Sequence, residues 1–227
     1  MSPLLRSARP ALLTLAATLL LACGGSSASA GEATQPKSSE MKGGVAPSAT
    51  EGEHGVALLA GGCFWCLEAA YDGVDGVVSA VSGYAGGEEQ NPTYKQVSYH
   101  QTGHLEVVRV VYEKDKLTYR QVLDRFWHNI DPFDDRGQFC DKGDQYKAAI
   151  FPLDADQKKE AEASKVAVEQ QLGRPVVTTI LPAAVFWEAE AYHQDFHETN
   201  PVRYGSYRLG CGRDKRLQDV WGDEAGH

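Results

Sequence analysis

The residues best suited to chemistry are two cysteines, Cys63 and Cys66, within residues 58–73, LLAGGCFWCLEAAYDG. An apolar run ends at Gly61 and Gly62, and from Cys63 the spacing of Phe64, Leu67, Ala70 and Tyr71 becomes helical. Cys63 therefore falls at a strand-to-helix turn, where unsatisfied backbone N–H groups and the helix dipole favour an anion. The thiolate is the nucleophilic form of cysteine, and such sites draw its pKa from about 8.5 to roughly 3.5–7.5. A C-x-x-C pair alone is compatible with a redox couple, half a metal site or a structural disulfide. The metal reading needs a second ligand pair. His193 and His197 stand at i, i+4, but Tyr192 and Phe196 of the same stretch are wanted for its core, so no metal is expected. Cys140 and Cys211 complete a set of four that an ordinary disulfide framework would also satisfy.

The ends of the 227-residue chain carry no core. Residues 1–22 combine Arg6 and Arg9 with a short apolar run and read as a signal peptide, too short for a membrane span. The following LLAC-GG resembles the lipobox of bacterial lipoproteins, which makes Cys23 the expected acylated residue of an exported protein anchored to a bacterial membrane, in the cell envelope or periplasm. Residues 23–53 are small and polar, with Pro36 and Pro47, and read as a flexible tether. A catalytic domain over 54–215 and a C-terminal tail over 216–227 remain. The formal charge of −9, without a basic block, argues against a nucleic-acid partner. Export implies a compartment in which disulfides persist.

The elements that must position the thiols follow from periodicity. Strands are expected over 54–62, 76–87, 104–113, 146–152 and 175–183. Helices are expected over 63–73, 118–130, 154–173 and 188–201. Asp154 or Asp156 caps the third helix, Gly173 stops it, and the last ends near Asn200 and Pro201. The irregular alternation predicts an α+β two-layer sandwich, a mixed sheet with flanking helices on a ferredoxin-like core.

Several ordered blocks, GGCFWCLEAAY, GVVSAVSGYAGG, NPTYKQV, TGHLEVVRVVYE, DKGDQYKAAIF and PAAVFWEAEAYHQDF, resemble the A-type peptide methionine sulfoxide reductases over residues 55–212. The resemblance implies reduction of methionine S-sulfoxide, free or in oxidised proteins, the B type serving the other epimer. It makes Cys63 the nucleophile that becomes a sulfenic acid, and Glu106 the acid that protonates the departing oxygen. For that task Glu106 must be buried and protonated. Strand alternation sets Leu105 and Val107 opposite to it. Tyr94 and Tyr146 match the hydroxyls that bond the sulfoxide oxygen, Asp141 supports the site, and Phe64 with Trp65 walls the substrate methyl group. Taken alone, Glu106 reads as a solvated strand residue, Tyr94 and Tyr146 as half-buried core, and Phe64 and Trp65 as plain core.

This chain departs from the pattern in its cysteines: many relatives carry Gly where Cys66 stands. Cys66, one turn along the helix, Cys140, beside Asp141, and Cys211, in a Gly-flanked tail able to swing in, are all candidates to resolve the sulfenic acid. A thioredoxin-like, extracytoplasmic reductant is expected, with no flavin, nicotinamide or metal cofactor, and a monomer as the default. Two other readings stay open at this point: a general thiol–disulfide oxidoreductase, and a disulfide-stapled lipoprotein that binds a partner.

Overall fold

A computed structural model describes residues 44–226. The signal peptide, Cys23 and the first part of the tether lie outside the described residues. Nine strands and seven α-helices follow one another in the described chain. They are β1 (Thr50–Glu51), β2 (His54–Gly61), α1 (Phe64–Tyr71), β3 (Val77–Ala85), α2 (Tyr94–Ser98), β4 (Leu105–Tyr112) and α3 (Tyr119–Trp127). Then come β5 (Gly137–Gln138), β6 (Asp141–Lys142), β7 (Ala148–Ile150), α4 (Ala155–Leu172), β8 (Thr179–Ile180) and β9 (Trp187–Glu188). The chain closes with α5 (Phe196–Thr199), α6 (Pro201–Gly210) and α7 (Arg213–Trp221).

The main sheet runs β8-β7-β2-β4-β3-β9, with β1 beside β2. β2 and β3 both pair antiparallel with β4 and so point the same way, joined through α1. With β7 antiparallel on β2, the four principal strands give the split βαβ order of a ferredoxin-like core. The parallel β7–β8 pair makes the sheet mixed.

Both faces of β2 are buried, which is why its sequence is a continuous apolar run rather than an alternating one. Ala57 and Leu59 face the cluster beneath the helices, with Leu67, Phe126, Trp127 and Ile130. Leu58 and Ala60 face the opposite cluster, with Val107, Phe151 and Phe186. α3 is amphipathic and carries a capping box between Thr118 and Gln121. α4 is capped by Asp154 and stopped by Gly173 in the left-handed conformation.

Three boundaries differ from the sequence expectation. The tether ends earlier than 53, because Val45 bridges Phe186 and β1 pairs with β2. The supposed tail 216–227 is not loose: α7 buries Leu217 and Trp221, and the Trp221 indole donates to the Ile130 carbonyl at 2.9 Å. The helix expected over 188–201 is broken into β9, a single 3-10 turn (Ala191–His193) and α5. Pro201, expected to end a helix, instead begins α6, since the first helical position needs no backbone N–H. The strand over 175–183 shrinks to two residues. Among the described residues no helix is long and apolar enough to cross a membrane.

Candidate active site

Cys63 caps α1 at the corner where β2 ends, and its carbonyl accepts from the backbone N–H of Cys66 at 3.1 Å. Gly62 makes the corner with φ +81°, and a Cβ there would lie 2.5 Å from the Gln138 Cβ. Gln138 is itself buried and doubly bonded to the Asp131 backbone, at 2.8 and 2.9 Å, so the hairpin β5–β6 sits hard against the corner. That hairpin carries Cys140 and Asp141 toward the thiols.

Cys63 and Cys66 are free, buried and joined by a side-chain hydrogen bond. Cys140 and Cys211 are bonded to each other as a disulfide, with Cα atoms 4.9 Å apart. The tail expected to swing is therefore the ordered end of α6, with Cys211 at its C-cap. The dithiol titrates as a pair. Burial pushes the Cys63 thiol well above its ordinary range, which corrects the expectation of a resting thiolate at this position. The helix terminus does not outweigh removal from water. The hydrogen bond from Cys63, with the charges of Arg213 and Arg208, draws Cys66 down to about 6.

Glu106 projects from β4 to the helix-bearing side, while Val107 packs into the opposite cluster. Its side chain is buried, and one carboxyl oxygen accepts from the Phe64 backbone N–H at 3.0 Å. Burial, assisted by the negative charges of Asp141 and Cys66 and opposed by the Phe64 N–H, pushes its pKa up to about 8. The carboxyl therefore holds its proton at neutral pH beside the Cys63–Phe64 peptide. Tyr94, at the start of α2, and Tyr146, on the 3-10 turn Asp144–Tyr146, both lie within electrostatic reach of Glu106 and Cys63. Phe64 packs its ring 6.4 Å from those of Trp65 and Tyr94. All the residues expected to carry chemistry in the described chain thus converge on one corner, with Cys140 and Cys211 bonded at its edge.

The structure adds residues that the sequence reading did not place there. His193 accepts from the Trp65 indole N–H at 3.1 Å through Nδ1, and packs 4.9 Å from Phe64 and 4.3 Å from Tyr94. Burial lowers its pKa to about 4, so the ring is neutral and fixes the orientation of Trp65. Glu190 accepts from the Tyr94 backbone N–H at 2.9 Å and from the Tyr84 hydroxyl at 2.8 Å. Behind α1, the buried Glu68 accepts from Ser82 Oγ at 2.9 Å and from the Asp195 N–H at 3.3 Å. Arg213, buried under the corner, donates to the Asn129 carbonyl at 2.7 Å and lies 4.3 Å over the Phe139 ring. From α6, Tyr204 bonds Cys66, and Tyr207 bonds both Cys63 and the Asp141 carboxylate. The one available signal was the run of polar side chains among aromatics over 190–208, which local periodicity assigns to a helix.

A buried dithiol next to a protonated carboxyl and two hydroxyls, on this split-βαβ sheet, defines a thiol-dependent reductase of a polar, oxygen-bearing group. The comparisons give the substrate. The family model described as peptide methionine sulfoxide reductase matches residues 55–225. The peptide methionine sulfoxide reductase MsrA 2 of Rhizobium meliloti is 48% identical over 169 residues, 74% of this chain and 84% of that protein. MsrA of Bacillus velezensis is 45% identical over 170 residues, covering 74% and 96% of the two chains. Among solved structures, methionine sulfoxide reductase A of Corynebacterium diphtheriae superposes with TM-score 0.63 at 28% identity, over 68% of this chain and 79% of that one. Reduced Mxr1 of Saccharomyces cerevisiae gives 0.62 at 32%, over 68% and 90%. The chain belongs to the peptide methionine sulfoxide reductase family, as an enzyme of the A type.

Proposed function

We propose that this enzyme reduces the S epimer of methionine sulfoxide, free and in oxidised proteins, as a monomeric lipoprotein repairing damage outside the cytoplasm. The observation that carries the chemistry is the buried Glu106 carboxyl, protonated at neutral pH and bonded to the residue after Cys63. The Cys63 sulfur passes its proton to the Cys66 thiolate bonded to it and attacks the sulfoxide sulfur. Glu106 donates its proton to the oxygen, which Tyr94 and Tyr146 hold as it gathers charge. Phe64 and Trp65 receive the methyl group, and Asp141 supports the loop. Methionine leaves, and the oxygen stays on Cys63 as a sulfenic acid.

Cys66 is the resolving thiol in this reading: it is free and bonded to Cys63, whereas Cys140 and Cys211 are already joined. Its attack on the sulfenic sulfur releases water and leaves a Cys63–Cys66 disulfide. Cys140 is exposed, so the external dithiol first reduces the Cys140–Cys211 bond; the freed thiols then reduce Cys63–Cys66 by exchange and re-form their own disulfide, which carries oxidation outward. A thioredoxin-like dithiol outside the cytoplasm is the reductant. The LLAC-GG sequence supports acylation of Cys23 and membrane anchoring.

The test is dithiothreitol-driven turnover of each purified epimer, followed by peptide mapping of the Cys-reduced protein after one equivalent of substrate. Consumption of the S epimer alone, with a new bond between Cys63 and Cys66, is expected. Equal use of both epimers would overturn the stereochemical assignment, and a first bond from Cys63 to Cys211 or Cys140 the resolving one. Cys23→Ser is expected to move the protein from the membrane to the soluble fraction.

A further inference from the structure

The Tyr207 hydroxyl has one proton and two negative or acidic neighbours. It donates to the Asp141 carboxylate, and the same side chain bonds the Cys63 sulfur. The ring is fixed edge-on against Trp65, with centroids 5.9 Å apart and planes at 85°. One turn further along α6, the Cys211 N–H donates to the Tyr207 carbonyl at 2.9 Å, and Cys211 is bonded to Cys140, the neighbour of Asp141. Helix and hairpin are thus cross-linked immediately beside the hydroxyl, which holds the phenol at the Asp141 carboxylate.

We propose that Tyr207 is a further catalytic residue: its hydroxyl proton is held by Asp141 at rest and turns to Cys63 as negative charge gathers on that sulfur. The inference rests on the reading of Cys63 as the nucleophile. A buried sulfur that must become anionic needs a donor, because water is excluded from it. The other groups facing it do not serve. Glu106 of β4 keeps its proton for the oxygen, and Cys66 of α1 is itself the anionic side of the pair. Tyr94 and Tyr146 meet Cys63 only through its charge, without a hydrogen bond to the sulfur. Burial, the two sulfurs and Asp141 push the Tyr207 phenol far above its ordinary range, so it stays a donor throughout. Asp141 faces Tyr207, Arg213 of α7 and Lys142 of its own strand, and burial raises its pKa. A carboxylate binds the phenol proton more tightly than a neutral acceptor does, so Asp141 competes with Cys63 for it.

This competition gives opposite signs for two substitutions. The experiment is iodoacetamide alkylation of Cys63 between about pH 6 and 10, in the full chain purified with Cys140 and Cys211 bonded, and read by peptide mass spectrometry. Tyr207→Phe keeps the ring on Trp65 and is expected to shift the alkylation profile up by about one pH unit, roughly a tenfold loss of rate at pH 8. Asp141→Asn releases the hydroxyl and is expected to shift the profile down. In the Tyr207→Phe background, Asp141→Asn is expected to change nothing further. Near-ultraviolet circular dichroism verifies that each variant is folded. A Tyr207→Phe profile unchanged within twofold, or an Asp141→Asn shift of the same size in both backgrounds, overturns the assignment. The measurement contains no sulfoxide, so it stands apart from epimer turnover, whose failure would instead remove the proposed function.

Discussion

Glu106 combines two properties that oppose each other on the surface of a protein: it is a carboxyl, and it is uncharged near pH 7. The cause is burial, only partly offset by the Phe64 N–H, and the consequence is an acid poised for proton transfer. Replacement by Ala removes both proton and hydrogen bond and is expected to lower turnover by about 10²–10⁴-fold. Glu106→Gln retains an amide donor and is expected to keep more of the rate than Ala; steady-state kinetics on the S epimer separates them. Parent-like turnover in both variants would dismiss the acid role. The same group acts on stability. Its folded pKa, about 8, lies above the ordinary 4.5, so the folded state holds the proton more tightly. Its stabilisation is complete below the ordinary value and is lost as pH rises toward 8. Urea unfolding between pH 5 and 8 should show the parent losing stability relative to Glu106→Gln, on the order of 3–5 kcal/mol from this site, a difference from which the opposite contributions of His193 and Cys66, both lowered in pKa, cancel. Glu68, raised to about 7 by burial, leaves a residual slope of the same sign.

The strand–corner–helix unit from β2 to α1 was legible because its signals are local: an apolar run, two glycines, then a change of period. The sharpest of them is Gly62. Its φ of +81° is costly for any other residue, and a Cβ would collide with the Gln138 side chain, which two buried hydrogen bonds hold in place. Gly62→Ala is therefore expected to cost about 2 kcal/mol or more in chemical denaturation and to depress turnover, because relief of the clash moves either Cys63 or the Asp141 hairpin. An unchanged unfolding midpoint would show that the corner yields freely. By contrast, the segment carrying Glu190, His193 and Gln194 was not legible. Its conformation is set by distant partners: Gln194 accepts from the Ser82 N–H and donates to the Ser82 carbonyl, both at 3.0 Å, while Glu190 reaches Tyr84 and Tyr94. A helical spacing of aromatics cannot compete with such bonds. The reading of His193 and His197 as neighbours on one helix fails for this reason, since a non-helical residue, Asp195 at φ +51°, separates them.

At the scale of the whole molecule, the sandwich and its sheet were readable from the continuous apolar run of β2, buried on both faces, the β-branched alternation of β4 and the amphipathic stripe of α3. The limits of the domain were not, because the closing element is polar on paper. Residues 213–224, RDKRLQDVWGDE, hold two large apolar side chains among charges, and α7 buries both of them together with Arg213. Leu217 and Trp221, four residues apart, share one helix face and pack under the same cluster that supports α1. The Trp221 ring also meets His128 edge-on at 4.9 Å and bonds the Ile130 carbonyl, tying the chain's end to the loop after α3. That loop leads through Asp131 to the hairpin carrying Asp141, and Arg216 of α7 grips Asp131 at 2.7 Å. The C-terminal helix therefore buttresses the site from behind, and its removal should reach the chemistry. Trp221→Ala is expected to destabilise by about 3–5 kcal/mol in urea unfolding, through the lost ring and the orphaned carbonyl. Turnover measured well below the unfolding midpoint should fall as well, as the Asp131 loop loosens its hold on Gln138. A variant with parent-like stability would mean that the fold closes before residue 216, and that the last helix is an appendage rather than a wall of the domain.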